Sequence, residues 1–213
     1  MGRAMRDGAA PVHAGWSMTF GSFSENEWRA LKAASSTGAL ESARAFAMLL
    51  RAPPPEGEAV VESATGAAAL GVLVEREGAE GIGVSFALSG AVGGSLLVFL
   101  DEDAAFSVAS TLLKRKVSGP DERALAALAE VGNILASAFL NGLSRYLKKA
   151  CMPSVPGIAH APGRVLLVAV PVRPTDHGLV CTQQIGDLRM TLCFLPEPDT
   201  ARRLAAAVAS ASA

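Results

Sequence analysis

Two stretches of the chain read as near copies of one pattern: LLVFLDEDAAFSVASTLL at Leu96–Leu113 and TLCFLPEPDTARRLAAAV at Thr191–Val208. Each is an apolar run of strand character, then a short acidic or proline turn, then an amphipathic helix. Working outward, the same order recurs around both. A first long helix opens on Ser24 with Glu27 three residues on, the form of a capping box, spans about Glu25 to Arg51, and stops at Pro53, Pro54 and Pro55. Leu70–Arg76, Gly83–Leu88 and Ser95–Leu100 read as strands, with a glycine-rich turn over residues 89–94, and Asp103–Lys114 as a short helix. Pro120 opens a second long helix over about Asp121–Ala150, closed by Pro153 and Pro156. Arg164–Val170, Gly178–Gln184 and Leu188–Leu195 follow as strands, and Asp199–Ala209 as a helix. The expectation is an α/β chain of the α+β type. Two pseudo-symmetric halves, about 23–116 and 120–212, share one antiparallel-rich sheet with two long helices packed on it. Residues 21–213 are expected to form one domain and residues 1–20 a mobile leader, since MGRAMRDGAAPVHAGWSMTF has no apolar core of a secretory signal.

Composition removes several function classes. Half of the 213 residues are hydrophobic, and 19 basic side chains meet 20 acidic ones. A nucleic-acid binder normally carries a basic stripe, which this balance argues against. No apolar run is expected to approach the roughly 18 residues of a membrane helix. Cys151, Cys181 and Cys193 form no CxxC pair, and His13, His160 and His177 no HExxH spacing, so reduced cysteines and no metal site of the chain's own are expected. The glycines around Ser95 lack a P-loop's GK[ST] ending, and no GxSxG elbow is present.

The second long helix carries the candidate functional residues. Ala126, Glu130, Asn133, Ser137, Asn141, Ser144 and Lys148 advance by three or four places and fall within an arc of roughly 80°. Leu125, Leu128, Val131, Leu135, Phe139, Leu143 and Leu147 occupy the other side. Glu130 and Asn133 are neighbours on the polar ridge, and small residues, Ala126, Gly132 and Ser137, leave them open. Periodicity alone describes a solvated helix face. A carboxylate beside a carboxamide is no nucleophile–base couple, because a carboxamide neither gives nor takes a proton near neutral pH.

The stretch Ala129–Pro156, AEVGNILASAFLNGLSRYLKKACMPSVP, resembles the second signature helix of the CheC/CheX/FliY phosphatases. There a Glu and an Asn lie three apart and a proline follows after 22 intervening residues, as Glu130, Asn133 and Pro156 do here. The resemblance extends from about Phe23 to the C-terminus. It implies a CheC-like fold and a cytoplasmic phosphatase acting on the aspartyl-phosphate of a CheY-like receiver. Asn133 would orient the attacking water, Glu130 would contact the receiver's lysine, and Ala126, Ser137 and Pro156 would shape the binding surface. Mg²⁺ would belong to the receiver, the chain having no cofactor of its own. A CheD-type deamidase would be a further partner; nucleic acid and membrane would not be partners. Two departures stand out: the family's Asp or Ser four places before the Glu is Ala126, and Ala33 and Ser36 occupy the Glu and Asn places of the first long helix. One active site is therefore expected. A catalytically weak adaptor that binds a receiver or a CheD-type protein is the alternative, and a flagellar switch component of the FliY kind ranks third, since the chain ends at Ala213.

Overall fold

The computed structural model describes residues 24–75, 80–169 and 177–211; the leader assigned to residues 1–20 lies outside them. The order of elements occurs twice. The first series is α1 (Glu25–Leu50), β1 (Val60–Thr65), α2 (Ala67–Glu75), β2 (Glu80–Gly90), β3 (Gly94–Asp101) and α3 (Glu102–Leu113). The second is α4 (Glu122–Leu147), β4 (Cys151–Pro153), β5 (Gly157–Pro162), α5 (Gly163–Ala169), β6 (His177–Ile185), β7 (Leu188–Pro196) and α6 (Pro198–Ala211).

All seven strands form one antiparallel sheet, in the order β1-β6-β7-β3-β2, with β5 and β4 both on the outer edge of β2. Each series lends its leading strands to the other's hairpin: β1 pairs with β6 (Val61↔Cys181), and β4 and β5 pair with β2 (Leu88↔Pro153, Gly83↔Ala159). The two hairpins meet at β3 and β7, where Leu96 faces Phe194 and Val98 faces Leu192. The strands at this seam have both faces covered, which explains their continuous apolar runs.

Helices cover both faces. On one, α1 and α4 lie across the sheet, flanked by α6 and α3. On the other, α2 and α5 pack together over a second core of Leu70, Val74, Leu97, Phe99, Leu166, Leu167, Val180 and Cys193. This corrects two assignments: Leu70–Arg76 and Arg164–Val170 were expected as strands, and their described residues lie in α2 and α5. Apolar runs of seven to nine residues fit a buried strand or a short helix equally well, and here covering the sheet decides it. Strands β1, β4 and β5 were not anticipated. They are short or half-exposed edge segments whose burial alternates only weakly.

The helix layer is set by one close approach. A methyl group added to Gly142 of α4 would stand 2.7 Å from Gly38 Cα of α1, and one on Gly38 would stand 2.8 Å from Phe139 Cδ2. With backbones this near, buried Ser42 Oγ reaches across to donate 2.7 Å to the carbonyl of Leu135. The ring of Phe139, roofed by Gly38, meets Phe194 of β7 edge-on at 5.3 Å and so fixes α4 on the sheet. The N-cap of α1 is the expected capping box: Glu27 N donates to Ser24 Oγ, and Ser24 N donates to Glu27 Oε2 at 2.7 Å.

Among the described residues α4 is the one helix with the length and apolar composition of a membrane span. Counting unbroken apolar residues misses it, because Glu130, Asn133 and Asn141 interrupt the run. In this fold Leu128, Val131, Leu135, Phe139 and Leu143 are all buried in the core.

Two outcomes are expected. Gly142→Ala will destabilise the fold by about 1–2 kcal/mol in denaturant unfolding, overpacking outweighing the helix-propensity gain, while Gly119→Ala, whose added methyl meets nothing within 4 Å, will be near neutral. Burial raises the thiol pKa of Cys193 to about 12 and raises that of Cys181 further, so neither is a thiolate at pH 8. A thiol reagent at that pH will modify Cys151 first, and the other two only as the chain unfolds.

Candidate functional site

The ridge of α4 is held at a fixed height above the sheet. Its N-cap, Asp121, accepts from Ala124 N at 2.9 Å and from the Arg115 guanidinium at 2.8 and 2.6 Å. The Arg115 hydrogen bond, with the cap bond behind it, holds this carboxyl below its ordinary range. Between Glu130 and Asn133 lies Gly132, buried where α4 comes down on β2. A methyl group there would stand 2.7 Å from Val84 Cβ, a branch point close to the strand backbone. Gly132 thus lets the helix sit low while Glu130 and Asn133 turn outward.

The facing wall comes from the edge of β2. Ser85 pairs with Gly157 on β5 and Leu88 pairs with Pro153 on β4. Between these pairs two residues of β2, Phe86 and Ala87, oppose three, Ser154, Val155 and Pro156. One extra residue is a bulge, which bends a strand and redirects its side chains. Ser154 satisfies Ala87 on both counts: its N–H donates to Ala87 O at 2.8 Å, and its Oγ accepts from Ala87 N at 3.0 Å. Pro153 and Pro156 have no N–H to forfeit on an interrupted edge.

Bulge and ridge enclose a shallow open groove of about 560 Å³, lined by Ala126, Ala129, Glu130, Asn133, Pro153, Ser154, Val155 and Pro156. Glu130 is exposed, Asn133 and Pro156 are half-buried, and Val155 stands 89% exposed at the lip. Among the described residues neither the Glu130 carboxylate nor the Asn133 carboxamide has a partner within the chain. Both are left to face whatever enters. The groove therefore brings together Ala126, Glu130, Asn133 and Pro156 of the residues singled out in the sequence. Ser137, half-buried one turn further along α4, is not in its lining. Pro153, Ser154 and Val155 were missed as site residues. The signal lay in MPSVP, where two prolines bracket Ser154 and Val155; Pro153 was read only as a helix stop.

The equivalent face of α1 holds different chemistry. Ala33 is exposed and Ser36 half-buried, so the positions matching the pair carry neither carboxylate nor carboxamide. Nearby side chains bind α1 to α4 instead: Thr37 Oγ1 and Tyr146 OH share a hydrogen bond of 2.9 Å, and Arg145 meets Glu41 at 3.1 Å.

The seating of Gly132 on Val84 is testable by a double-mutant cycle. Gly132→Ala will lower stability in the native background, and its cost will shrink by about 1 kcal/mol when Val84→Ala has made room; strict additivity in denaturant unfolding would contradict the contact.

Residues 124–160, from the first turn of α4 through the bulge into β5, match the CheC-like family model. No curated protein matches the chain. Solved structures share its fold at low identity. FliY from Thermotoga maritima aligns with a TM-score of 0.68 at 14% identity, over 88% of this chain and 98% of that one. FliM from Helicobacter pylori, solved in complex with FliG, gives 0.61 at 15%, over 84% and 100%. CheX from Borrelia burgdorferi, solved with CheY, BeF3 and Mg²⁺, gives 0.52 at 17%, over 76% and 96%. The chain thus carries a CheC-like segment over α4 and the bulge, set in a fold that it shares with FliY, FliM and CheX.

Proposed function

We propose that the chain is a phosphatase that hydrolyses the aspartyl-phosphate of a CheY-like receiver, with Asn133 placing the water and Glu130 gripping the partner. The observation that carries this reading is an unpartnered carboxamide and carboxylate in one groove that is open along its length. Such a groove suits a protruding protein surface better than an enclosed small molecule. CheX, of the same fold, is known in complex with CheY and a beryllofluoride, and the CheC-like match falls on the segment that builds this groove.

The chemistry asks little of the chain. In an acyl phosphate the leaving group is a carboxylate, so the water needs placing more than activating. The Asn133 carbonyl oxygen accepts from the water while the water's oxygen bonds to phosphorus, in line with the P–O bond to the aspartyl oxygen that breaks. The products are the receiver's carboxylate and inorganic phosphate, and the water's proton leaves to phosphate or solvent. The water-orienting Gln of small GTPases acts similarly. Glu130, one turn away, would pair with a cation on the receiver, and the receiver's own Mg²⁺ would neutralise the phosphoryl oxygens. The receiver makes this a cytoplasmic reaction.

A second reading is an adaptor that binds a receiver or a CheD-type protein without turnover. Ala126 at the groove and the Ala33 and Ser36 positions on α1 favour it, as does the fold shared with FliM, which is known in complex with FliG. A phosphorylated CheY-like receiver, followed by loss of phosphate, separates the two. Asn133→Ala will slow the accelerated decay about 100-fold with little change in affinity for beryllofluoride-loaded receiver, whereas Glu130→Ala will chiefly weaken that affinity. Tight binding with no acceleration by the unmodified chain would establish the adaptor; neither binding nor acceleration would remove both.

A further inference from the structure

The histidines have no ligand spacing along the sequence, yet folding gathers one of them with two distant carboxylates. In the β2–β5 ladder His160 pairs with Ile82, two residues from Glu80, so Glu80 and His160 leave the same face of the sheet. That is the face on which α3 starts, and its first residue, Glu102, completes the group. His160 Nε2 stands 2.9 Å from Glu102 Oε1 and 3.8 Å from Glu80 Oε2, and one ligand atom from each residue lies within 4.8 Å of the others. The ring of Phe106, one turn along α3, packs against the imidazole with centroids 6.3 Å apart and holds its orientation.

A neutral imidazole offers one hydrogen at Nε2, and two acceptor-only carboxylates converge on it. A cation in the place of that hydrogen satisfies all three groups, the ring proton then sitting on Nδ1. The cluster opens onto a cavity of about 790 Å³ whose walls include Glu80, Glu102, Asp101, Asp103 and Asp187, with Arg189 as the only basic residue in the lining. The cavity gives waters room to complete a coordination shell, and its negative field draws cations inward. One imidazole with two carboxylates is a donor set for first-row divalent ions. Around Zn²⁺, ligand bonds of about 2.0–2.2 Å put neighbouring donor atoms roughly 3–3.5 Å apart. The His160–Glu102 pair is already near that separation. Glu80, with its side chain 58% exposed, has the rotamer freedom to close the rest.

We infer that His160, Glu102 and Glu80 form a binding site for a divalent transition-metal ion, with Zn²⁺ the best match and its remaining positions open to water. The ion ties β5 of the second series to β2 and α3 of the first. It is separate from the α4 groove and stands or falls independently of the phosphatase reading.

The full-length chain, freed of metal by chelation, is titrated with ZnCl₂ by calorimetry and with CoCl₂ by its visible absorption. The expected result is one ion per chain, a Co²⁺ spectrum of a nitrogen–oxygen site without thiolate bands, and a rise in Tm with added Zn²⁺. His160→Gln and the near-isosteric Glu102→Gln will each weaken binding by at least about tenfold, since even outer-shell partners are worth that much, with circular dichroism confirming the native fold. Cys151→Ser will bind as the unmodified chain does. No uptake, uptake unchanged in both ligand variants, or uptake abolished by Cys151→Ser would each overturn the site.

Discussion

The structure depends on two long helices being allowed to touch backbone to backbone. Gly38 and Gly142 carry no side chain at the crossing, and everything around it exploits the space: Ser42 reaches a carbonyl of the opposite helix, and Phe139 slides beneath α1 to meet Phe194. A buried hydrogen bond of this kind is worth about 1 kcal/mol net, so its value here is directional. It leaves α4 with one orientation about its own axis. That orientation decides that Leu128, Val131, Leu135 and Leu143 face the sheet and that Glu130 and Asn133 do not.

The same logic repeats at Gly132, lower on the helix and nearer the site. A ridge presented to another macromolecule must be rigid as well as exposed, because positioning by a loose side chain loses what it gains. The contact with Val84 and the bulge that Ser154 holds against Ala87 supply that rigidity from two sides. Polar side chains sit on a helix whose other face is immobile, opposite a turn stiffened by two prolines. The groove is thus built from secondary structure rather than from a flexible loop.

Legibility in the sequence followed physical signal strength. The capping box at Ser24, the 3.6-residue pattern of α4 and the turn at residues 89–94 each leave a local signature, and each element was anticipated. Half of the groove's lining, Ala126, Glu130, Asn133 and Pro156, was named beforehand, and through a family resemblance; periodicity alone gave only a solvated face. Helices α2 and α5 were misread because their apolar runs are too short for the period to declare itself, and only the uncovered sheet face resolves them. The bulge was invisible because it is a mismatch between two strands, a property of pairing. The grouping of His160 with Glu80 and Glu102 escaped for the same reason, since its members are separated by 22 and 58 residues.

The exchange of β1 and β5 binds the two series into one symmetric unit. Each series completes its partner's hairpin instead of its own, so the chain has the topology of a strand-swapped dimer whose two protomers were joined end to end across residues 114–121. In such an arrangement every surface exists in duplicate while the fold needs each only once for packing. One long helix then carries an unpartnered carboxamide and carboxylate, while its twin carries Ala33 and Ser36 at the matching places and packs as scaffold. Duplication within a single polypeptide turns a symmetric scaffold into a one-sided one without touching the hydrogen-bond ladder that holds it.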